Sequence, residues 1–221
     1  MRLLPLPGVF QPLSDSYMLA DQLERERLGL GVTVLDLCTG SGLLAVRAAL
    51  CGATATAIDV SRWALLSARL NALVNGVGVR TRRGDLFGPV RGERFDLIVS
   101  NPPYLPDPGD ELPQRGPERA WDAGATGRVF LDRICGEVAE HLNPGGVVLL
   151  IQSSVCGERE TLEALSAAGL RAEVILRHRG PLGPRLAARA DWLRERGLLL
   201  DGDQEEMIIV RAIGSSQPGV R

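Results

Sequence analysis

The chain has 221 residues, a length that suits one domain with at most a short appendage. Hydrophobic residues make up 45% of it and charged residues 24%, which excludes a disordered chain and is typical of a globular protein. The formal net charge of -2 excludes a strong overall positive field that would attract nucleic acid or an anionic membrane.

The first half of the chain predicts a proline-rich arm followed by alternating strands and helices. Residues 1–14 form the arm, and a helix capped by Ser14 or Asp15 follows and runs to about residue 28. Ser61 is expected to cap a later helix and Gly76 to end it. Apolar runs predict buried strands at 32–37, 54–59, 79–82 and 95–100, with helices at 43–50 and 63–75.

The second half begins with a long loop rich in proline and glycine and then continues the alternation. The loop spans 101–126, and residues 212–221 predict a flexible tail. Between them the pattern predicts helices at 127–142 and 158–168 and strands at 147–152, 172–176 and 206–211.

This alternation predicts an α/β fold, with a doubly wound, mostly parallel sheet of seven strands and helices on both faces. Residues 1–30 then form an N-terminal arm and helix, and residues 31–211 form the main domain. Such sheets bind ligands at the carboxyl ends of the strands, near the point where the strand order reverses. We therefore expect the loops after Leu37, Asp59 and Ser100 to form the site.

The few residues with metal-binding or nucleophilic side chains predict neither a metal site nor a disulfide. No two cysteines form a Cys-x-x-Cys pair, and the chain has only two histidines. All 25 basic residues are arginine, which excludes a lysine nucleophile. Early prolines argue against a signal peptide, and no apolar run reaches the ~18 residues of a membrane span, so we expect a cytoplasmic protein. The cysteines are Cys38, Cys51, Cys135 and Cys156, and the histidines are His141 and His178.

A glycine-containing turn and an acid follow the first two predicted strands. The turn has the sequence Asp36-Leu37-Cys38-Thr39-Gly40-Ser41-Gly42, in which glycine lets the backbone approach a ligand at a helix N-terminus. This signal is weak alone, because a strand-to-helix turn needs glycine anyway and the dinucleotide pattern Gly-x-Gly-x-x-Gly is absent. Asp59 lies 19 residues after Gly40, where an acid can accept hydrogen bonds from both ribose hydroxyls of an adenosine.

Two further motifs follow the third and fourth strands. Asp85 can accept a hydrogen bond from an exocyclic amine of adenine, while Leu86 offers its backbone N–H to a ring nitrogen. The sharpest motif is Asn101-Pro102-Pro103-Tyr104, whose prolines make the loop rigid and remove donors. A planar NH2 group could donate to the Asn101 side-chain oxygen and the Pro102 carbonyl, with Tyr104 stacked on the same plane. This arrangement favours an amide or an exocyclic amine over an ammonium group.

These four elements, in this order, resemble a class I S-adenosylmethionine-dependent methyltransferase. Within that class the chain is most similar to the HemK/PrmC family, which methylates the glutamine of the Gly-Gly-Gln motif in peptide-chain release factors. The resemblance spans about residues 10–211 and favours the short branch of the family. The resemblance to the family also rests on five further stretches: Phe10-Gln11-Pro12, Asp15-Ser16-Tyr17, Glu118-Arg119-Ala120-Trp121, Gly124 and Gly127-Arg128.

The resemblance implies a Rossmann-like methyltransferase fold with S-adenosylmethionine as its cofactor, no metal, and residues 1–30 covering the cofactor site. It implies that Asp59 binds the ribose, that Asp85 and Leu86 bind the adenine, and that Asn101 contacts both cofactor and substrate amide. The methionine part would be held by Ser16, Asp36, Cys38, Thr39, Gly40 and Gly42. The catalytic residues would be Asn101, Pro102, Pro103 and Tyr104.

The resemblance also implies a release factor as substrate. Eukaryotic and archaeal short-branch relatives work with a small zinc-binding activator protein, and the sequence leaves open whether this chain needs one. The chain departs from the family pattern at three positions: Gln11 replaces an acid, Ser16 replaces threonine, and Cys38 stands where many relatives have glycine. An arginine-rich segment, residues 178–203, is longer than in short relatives and leaves the substrate open.

Other functions stay open at this point. A methyltransferase of exocyclic amines in rRNA or DNA would share all four elements, because those amines are also planar, and would want a basic surface. Arg80, Arg82, Arg83 and the arginines of 177–196 could supply it, although such clusters are usually solvated. A small-molecule amide or amine is a further candidate acceptor. The intact Asn101–Tyr104 motif argues against a non-catalytic cofactor-binding partner, and the missing dinucleotide pattern argues against a nicotinamide-dependent oxidoreductase.

Overall fold

The computed structural model of the chain describes residues 1–109, 111–113, 116–199 and 204–214. Seven strands and seven α-helices make up these ranges, joined by four short 3-10 helices. The strands are β1 (Thr33–Leu37), β2 (Thr54–Asp59), β3 (Val79–Arg83), β4 (Phe95–Ser100), β5 (Leu142–Ser153), β6 (Arg171–Pro181) and β7 (Gln204–Ile213). The helices are α1 (Ser14–Leu23), α2 (Leu43–Leu50), α3 (Arg62–Val74), α4 (Val129–Glu137), α5 (Glu158–Ala167), α6 (Pro184–Ala187) and α7 (Ala190–Glu195).

The strands form one sheet in the order β3-β2-β1-β4-β5-β7-β6. The first five strands pair in parallel, and β7 runs antiparallel between β5 and β6. The predicted seven-stranded, mostly parallel sheet is therefore confirmed. The strand order reverses between β1 and β4, where Leu37 and Ser100 stand side by side in register. The loops that follow these two residues consequently begin next to each other.

Helices cover both faces of the sheet because strand side chains alternate between the faces. On one face, Val34 and Leu97 pack with α1 and α2 in a core of buried aliphatic residues. On the other face, Leu35 and Ile98 pack with α4, where Ile134 is fully buried. Each strand in the centre of the sheet is thus apolar on both sides, which explains the continuous apolar runs in the sequence.

The beginning of the first helix differs from its prediction. Neither Ser14 nor Asp15 caps α1; Leu13 occupies the N-cap position, no side chain caps the helix, and the helix ends at Leu23. The Asp15 carboxylate bonds the Asn101 side chain, so it serves a tertiary contact. The predictions for α3 are confirmed at both ends. Ser61 accepts a hydrogen bond from the Ala64 N–H at 3.4 Å, and Gly76 has a left-handed φ of 71° just after the helix.

The second half of the chain departs from the predicted bounds more widely. The predicted helix 127–142 divides into α4 and a 3-10 turn, Val138–His141. β6 and β7 pair as far as Pro181 and Gln204, so both strands extend beyond the predicted runs, and β7 continues through Ile213 into the predicted tail. Residues 215–221 of that tail lie outside the described residues. The short helices α6 and α7 were not predicted, because their sequence has the high arginine content of a surface segment.

Within the described ranges, no helix is both long and apolar enough to cross a bilayer. Nor does any group of three or more His, Cys, Asp or Glu side chains in this part of the chain lie close enough together to hold a metal ion. All four cysteines are free thiols.

Candidate active site

The glycine-containing turn after β1 and the Asn-Pro-Pro-Tyr motif after β4 meet at the carboxyl edge of the sheet. Their starting residues are neighbours in register, and the Ser100 hydroxyl donates a hydrogen bond of 2.8 Å to the Leu37 carbonyl. This bond ties the two loops together at their base. The topology therefore brings together two motifs that are about 60 residues apart in the chain.

Asp36 is a fully buried acid beneath the turn. One carboxylate oxygen accepts hydrogen bonds from the Thr39 hydroxyl at 2.5 Å and the Ala45 N–H at 3.1 Å. The other oxygen, Oδ1, is buried and has no hydrogen-bond partner in the structure. Burial raises the pKa of this carboxyl to about 7. An acceptor left unpaired in this way fits a ligand donor, and a cationic donor would favour the ionised form.

The turn itself adopts left-handed backbone conformations. Cys38 has a φ of 58°, a left-handed conformation that glycine adopts at lower cost. Burial raises the pKa of the Cys38 thiol strongly, so the thiol is protonated and does not act as a nucleophile. Gly42 has a φ of 86°, and a Cβ built there would lie 2.7 Å from the backbone of Ala68 in α3. Close packing of α2 on α3 requires this glycine.

Asp59, at the end of β2, holds the turn from the side. Its two oxygens accept backbone hydrogen bonds from Gly40 at 3.0 Å and Ser61 at 2.8 Å. Burial raises the pKa of this carboxyl, although the hydrogen bonds and the positive charge of Arg119 oppose that shift. Each oxygen accepts one N–H and keeps a second lone pair, which suits a pair of vicinal hydroxyls.

Asp85 and Leu86 follow β3 at the same edge of the sheet. The Asp85 carboxylate pairs with Arg133 of α4 through two hydrogen bonds of 3.2 and 2.6 Å. Leu86 is buried and has a left-handed φ of 43°. The pairing of Asp85 with an arginine 48 residues away was not predicted, since no local pattern indicates it.

The Asn101 side chain is held by α1. Its Nδ2 donates to the Asp15 carboxylate at 2.9 Å and to the Ser16 hydroxyl at 3.0 Å. Because a carboxylate only accepts hydrogen bonds, this contact assigns the NH2 end of the amide to Asp15 and leaves Oδ1 on the other side. No described residue donates to Asn101 Oδ1 or to the Pro102 carbonyl. Two unused acceptors therefore stand side by side in the chain.

Tyr104 completes the motif and is fixed at both ends. Its hydroxyl donates to Asp15 at 2.9 Å, and its carbonyl accepts a hydrogen bond of 2.8 Å from the Cys156 thiol. Burial, together with the negative charge of Asp15, raises the pKa of the phenol well above its usual value. Gly127 packs against the same carbonyl, where a Cβ would come within 2.3 Å. The loop is thus rigid at its far end as well.

The loop after the motif forms a wall of the site with the N-terminal arm. Leu105 pairs with the chain near Trp121 through backbone hydrogen bonds of 2.8 and 2.9 Å. The Trp121 ring meets the edge of Phe10 at 4.9 Å, and Phe10 in turn lies over Gly40 of the turn. The Arg185 guanidinium stacks on Trp121 at 4.8 Å. Arm, turn and loop are therefore in contact through aromatic side chains.

Most described parts of the arginine-rich segment pack on this wall. Leu186 and Leu193 are buried in a small core with Leu105. Arg189 lies between Asp107 and Asp122, at 2.8 and 2.9 Å, and also donates to the Pro106 carbonyl. The segment therefore supports the loop that carries Asn-Pro-Pro-Tyr. Residues 200–203 of the segment lie outside the described residues.

The site residues predicted from the sequence all lie at this one edge of the sheet, around the loops that follow β1 and β4. From the sequence, Asp15 was predicted only as a possible helix cap and as part of the Asp-Ser-Tyr stretch, not as a partner of Asn101, and Arg133 and Asn71 were not predicted at all. Asn71 is fully buried in α3 and donates to the Ser41 carbonyl at 2.9 Å while accepting from the Leu4 N–H at 2.6 Å. A polar residue on the buried face of a helix was the only signal available for it.

Comparison with known proteins agrees with this geometry. The family model described as "Methyltransferase small domain" matches residues 1–111. A Methanocaldococcus jannaschii protein named as a protein N5-glutamine methyltransferase is 36% identical over 79% of this chain and 87% of its own length. The human protein named methyltransferase HEMK2 is 31% identical over 76% of this chain and 82% of its own.

A longer relative and a solved structure are also similar to the chain. The chain matches a Geobacter sulfurreducens release factor glutamine methyltransferase at 36% identity but spans only 56% of it. Among solved structures, the E. cuniculi Mtq2–Trm112 complex, described as responsible for methylation of the termination factor eRF1, superposes with a TM-score of 0.66 at 24% identity. It covers 94% of this chain and 99% of the matched one, a likeness that shows the fold. The strand order, the motifs and two relatives matched over more than four-fifths of their own length agree, and the chain belongs to the HemK/PrmC family of class I methyltransferases.

Proposed function

We propose that the protein transfers a methyl group from S-adenosylmethionine to the side-chain amide nitrogen of a glutamine in the Gly-Gly-Gln motif of a release factor. The observation that carries this proposal is the orientation of Asn101. Asp15 binds its NH2 end, so Oδ1 and the Pro102 carbonyl form a pair of acceptors to which no residue in the described ranges donates. Such a pair matches the two coplanar N–H groups of a primary amide.

The residues present fit S-adenosylmethionine. The unpaired Asp36 Oδ1 matches a cationic donor such as the ammonium of the methionine part. Asp59 has lone pairs for the ribose hydroxyls, and Asp85 with the Leu86 N–H suits the edge of the adenine. Ser16 and the turn of Thr39, Gly40 and Gly42 would hold the methionine part beside Asn101, with Cys38 packed beneath the turn. The arm and helix of residues 1–30 would cover this site, as Phe10 over Gly40 supports.

When bound, the cofactor supplies an electrophilic methyl group on a sulfonium. The task of the protein is therefore to position an amide nitrogen, which is a poor nucleophile because its lone pair is delocalised. Asn101 and Pro102 accept both N–H groups, raise the electron density on nitrogen and aim its lone pair at the methyl carbon. Because the amide nitrogen would gain positive charge as it takes the methyl group from sulfur, the hydrogen bonds to Asn101 and Pro102 would strengthen during transfer. The excess proton then leaves to solvent.

The test is methyl transfer to a release factor, followed by mass spectrometry of the Gly-Gly-Gln peptide. One added methyl on glutamine is expected. Asn101→Ala should lower the rate roughly a hundredfold or more, as expected for the loss of one preorganised polar contact. Asn143→Ala is the matched control, because Asn143 bonds Asp96 at the opposite end of β4 and should leave the rate unchanged.

The outcome that contradicts the proposal is a normal rate for Asn101→Ala, or methylation of rRNA in place of the protein substrate. If the release factor stays unmethylated while another acceptor in a matched lysate is methylated, the assignment of the substrate is wrong.

We also propose that a small protein partner binds α3, by analogy with the complex in which the Mtq2 structure was determined. The outer side of this helix carries exposed apolar residues at helical spacing: Trp63 is 54% exposed, Leu66 40% and Leu73 74%. Arg62 and Arg69 flank them, so a partner with an apolar groove and an acidic rim is complementary. Co-purification of the native protein with such a partner, lost in Leu73→Glu, would support this proposal; a monodisperse, active protein alone would contradict it.

A further inference from the structure

Asp15 is a buried carboxylate at the centre of the site without a cationic partner. It is 6% exposed, and four neutral donors surround it: the Ser16 N–H at 2.7 Å, the Ser16 hydroxyl at 3.3 Å, Asn101 Nδ2 and the Tyr104 hydroxyl, both at 2.9 Å. Among the described residues, no arginine or histidine lies within ion-pair distance of it. Burial of a charge in this way is costly unless a counter-charge is supplied.

The other acids of the site are compensated differently. Asp85 is paired with Arg133, and Asp59 lies in the positive field of Arg119. Burial raises the pKa of Asp36 to about 7, so its charge is only partly present near neutral pH. Asp15 thus differs from Asp59 and Asp85, because no described cationic side chain balances its negative charge.

A neutral acceptor would orient Asn101 as well as a carboxylate does. A serine hydroxyl or a backbone carbonyl can accept from Nδ2, and the Ser16 hydroxyl already does so at 3.0 Å. Orientation alone therefore does not explain a charged group at this position. The carboxylate lies one hydrogen bond behind Asn101, the residue that receives the nitrogen, so its field acts at the place where the reacting centres meet.

We propose, building on the cofactor assigned under the proposed function, that Asp15 is a specificity residue that makes the site prefer the sulfonium form of the cofactor to its neutral thioether product. The negative charge attracts the sulfonium and does not attract the thioether that remains after transfer. The thioether product therefore dissociates more readily, and a new molecule of the sulfonium cofactor binds in its place. The adenosine and amino-acid parts, which both ligands share, are recognised elsewhere in the site.

The experiment is isothermal titration of the full chain with three ligands: S-adenosylmethionine, sinefungin, which carries an ammonium in place of the sulfonium, and S-adenosylhomocysteine, which is neutral there. Asp15→Asn should lower the affinity ratio of each charged ligand to the neutral one by about tenfold, equal to about 1.4 kcal/mol. Asp59→Asn is the matched control, since it should weaken all three ligands by the same factor and leave the ratios unchanged. Tyr104→Phe removes one donor but keeps the charge, so it too should preserve the ratios.

The proposal is overturned if Asp15→Asn weakens all three ligands equally, or if it leaves both ratios as in the native protein. Absence of binding of all three ligands to the native protein would instead refute the proposed cofactor. Circular dichroism establishes that each variant is folded, and Asp15→Ser, which is neutral and smaller, provides the same comparison if Asp15→Asn does not fold.

Discussion

Gly42 offers a quantitative test of how the cofactor turn is built. Its φ of 86° is left-handed, which costs an alanine about 1–2 kcal/mol. A Cβ at this position would also lie 2.7 Å from the Cα and Cβ of Ala68, and relief of such overpacking costs about 1–3 kcal/mol. Gly42→Ala should therefore lower the free energy of unfolding by about 2–5 kcal/mol in total. For a chain of this length the melting temperature falls by about 2–4 °C per kcal/mol, or about 4–20 °C.

Gly76 provides the matched control for this experiment. Its φ of 71° is also left-handed, but no atom lies within 4 Å of a Cβ built there. Gly76→Ala should thus cost only about 1–2 kcal/mol, and the entropic effect of glycine on the unfolded chain is common to both variants. Urea denaturation of both measures the difference. If Gly42→Ala is no less stable than Gly76→Ala, the close packing of α2 on α3 does not determine the glycine at position 42.

Three further predictions concern titration, a buried ion pair and the thiols. The carboxyl of Asp36 has a pKa of about 7 in the folded state, against an ordinary value of 3.8, so the folded state holds the extra proton. The free energy of unfolding should therefore fall as the pH rises from about 4 to about 7, and urea denaturation should show a flatter pH profile for Asp36→Asn. Arg189→Ala removes the cation that pairs with Asp122, which is only 4% exposed, and should lower the free energy of unfolding by about 3 kcal/mol. Arg159 is exposed, so Arg159→Ala should change that free energy by less than about 0.5 kcal/mol. Equal shifts in melting temperature for the two variants would contradict this prediction. Burial raises the pKa of Cys135 to about 12 and raises that of Cys156 strongly, so iodoacetamide should alkylate the half-buried Cys51 first. Peptide mass spectrometry measures the order of labelling. If Cys156 is labelled first, the packing around Tyr104 is not as described.

The prediction for Asp36 concerns the pH dependence of ligand binding, and the prediction for Asp15 concerns the ratio of ligand affinities, so the two can be tested separately. Asp36 titrates in the physiological range, so ligand binding that requires its charge should weaken as the pH falls below about 7. The ratio of charged to neutral ligand affinity assigned to Asp15 is measured at one pH. If the substitutions change the pH dependence of ligand binding but not that ratio of affinities, Asp36 alone is the group whose charge affects cofactor binding.

The sequence by itself determined the class of fold, the order of the central elements and the motifs of the site. Buried parallel strands are apolar on both sides, so β1, β2 and β4 stand out as apolar runs, and their loops necessarily end at one edge of the sheet. The Ser61 cap and the Gly76 stop are local devices, set by a few adjacent residues, and local pattern predicted them correctly. The family was identified from the same motifs and confirmed by the comparisons.

Only the tertiary structure decided how those motifs are held. The bond from Asp15 to Asn101 spans 86 residues and the pairing of Asp85 with Arg133 spans 48, distances over which sequence pattern carries no information about contact. The lengths of β6 and β7 depend on their mutual pairing, and α6 and α7 are held by apolar contact with Leu105, so neither could be predicted from arginine-rich sequence. Local propensity fixes an element, whereas the direction of a buried charge and the partner that it meets depend on the packing of the whole chain.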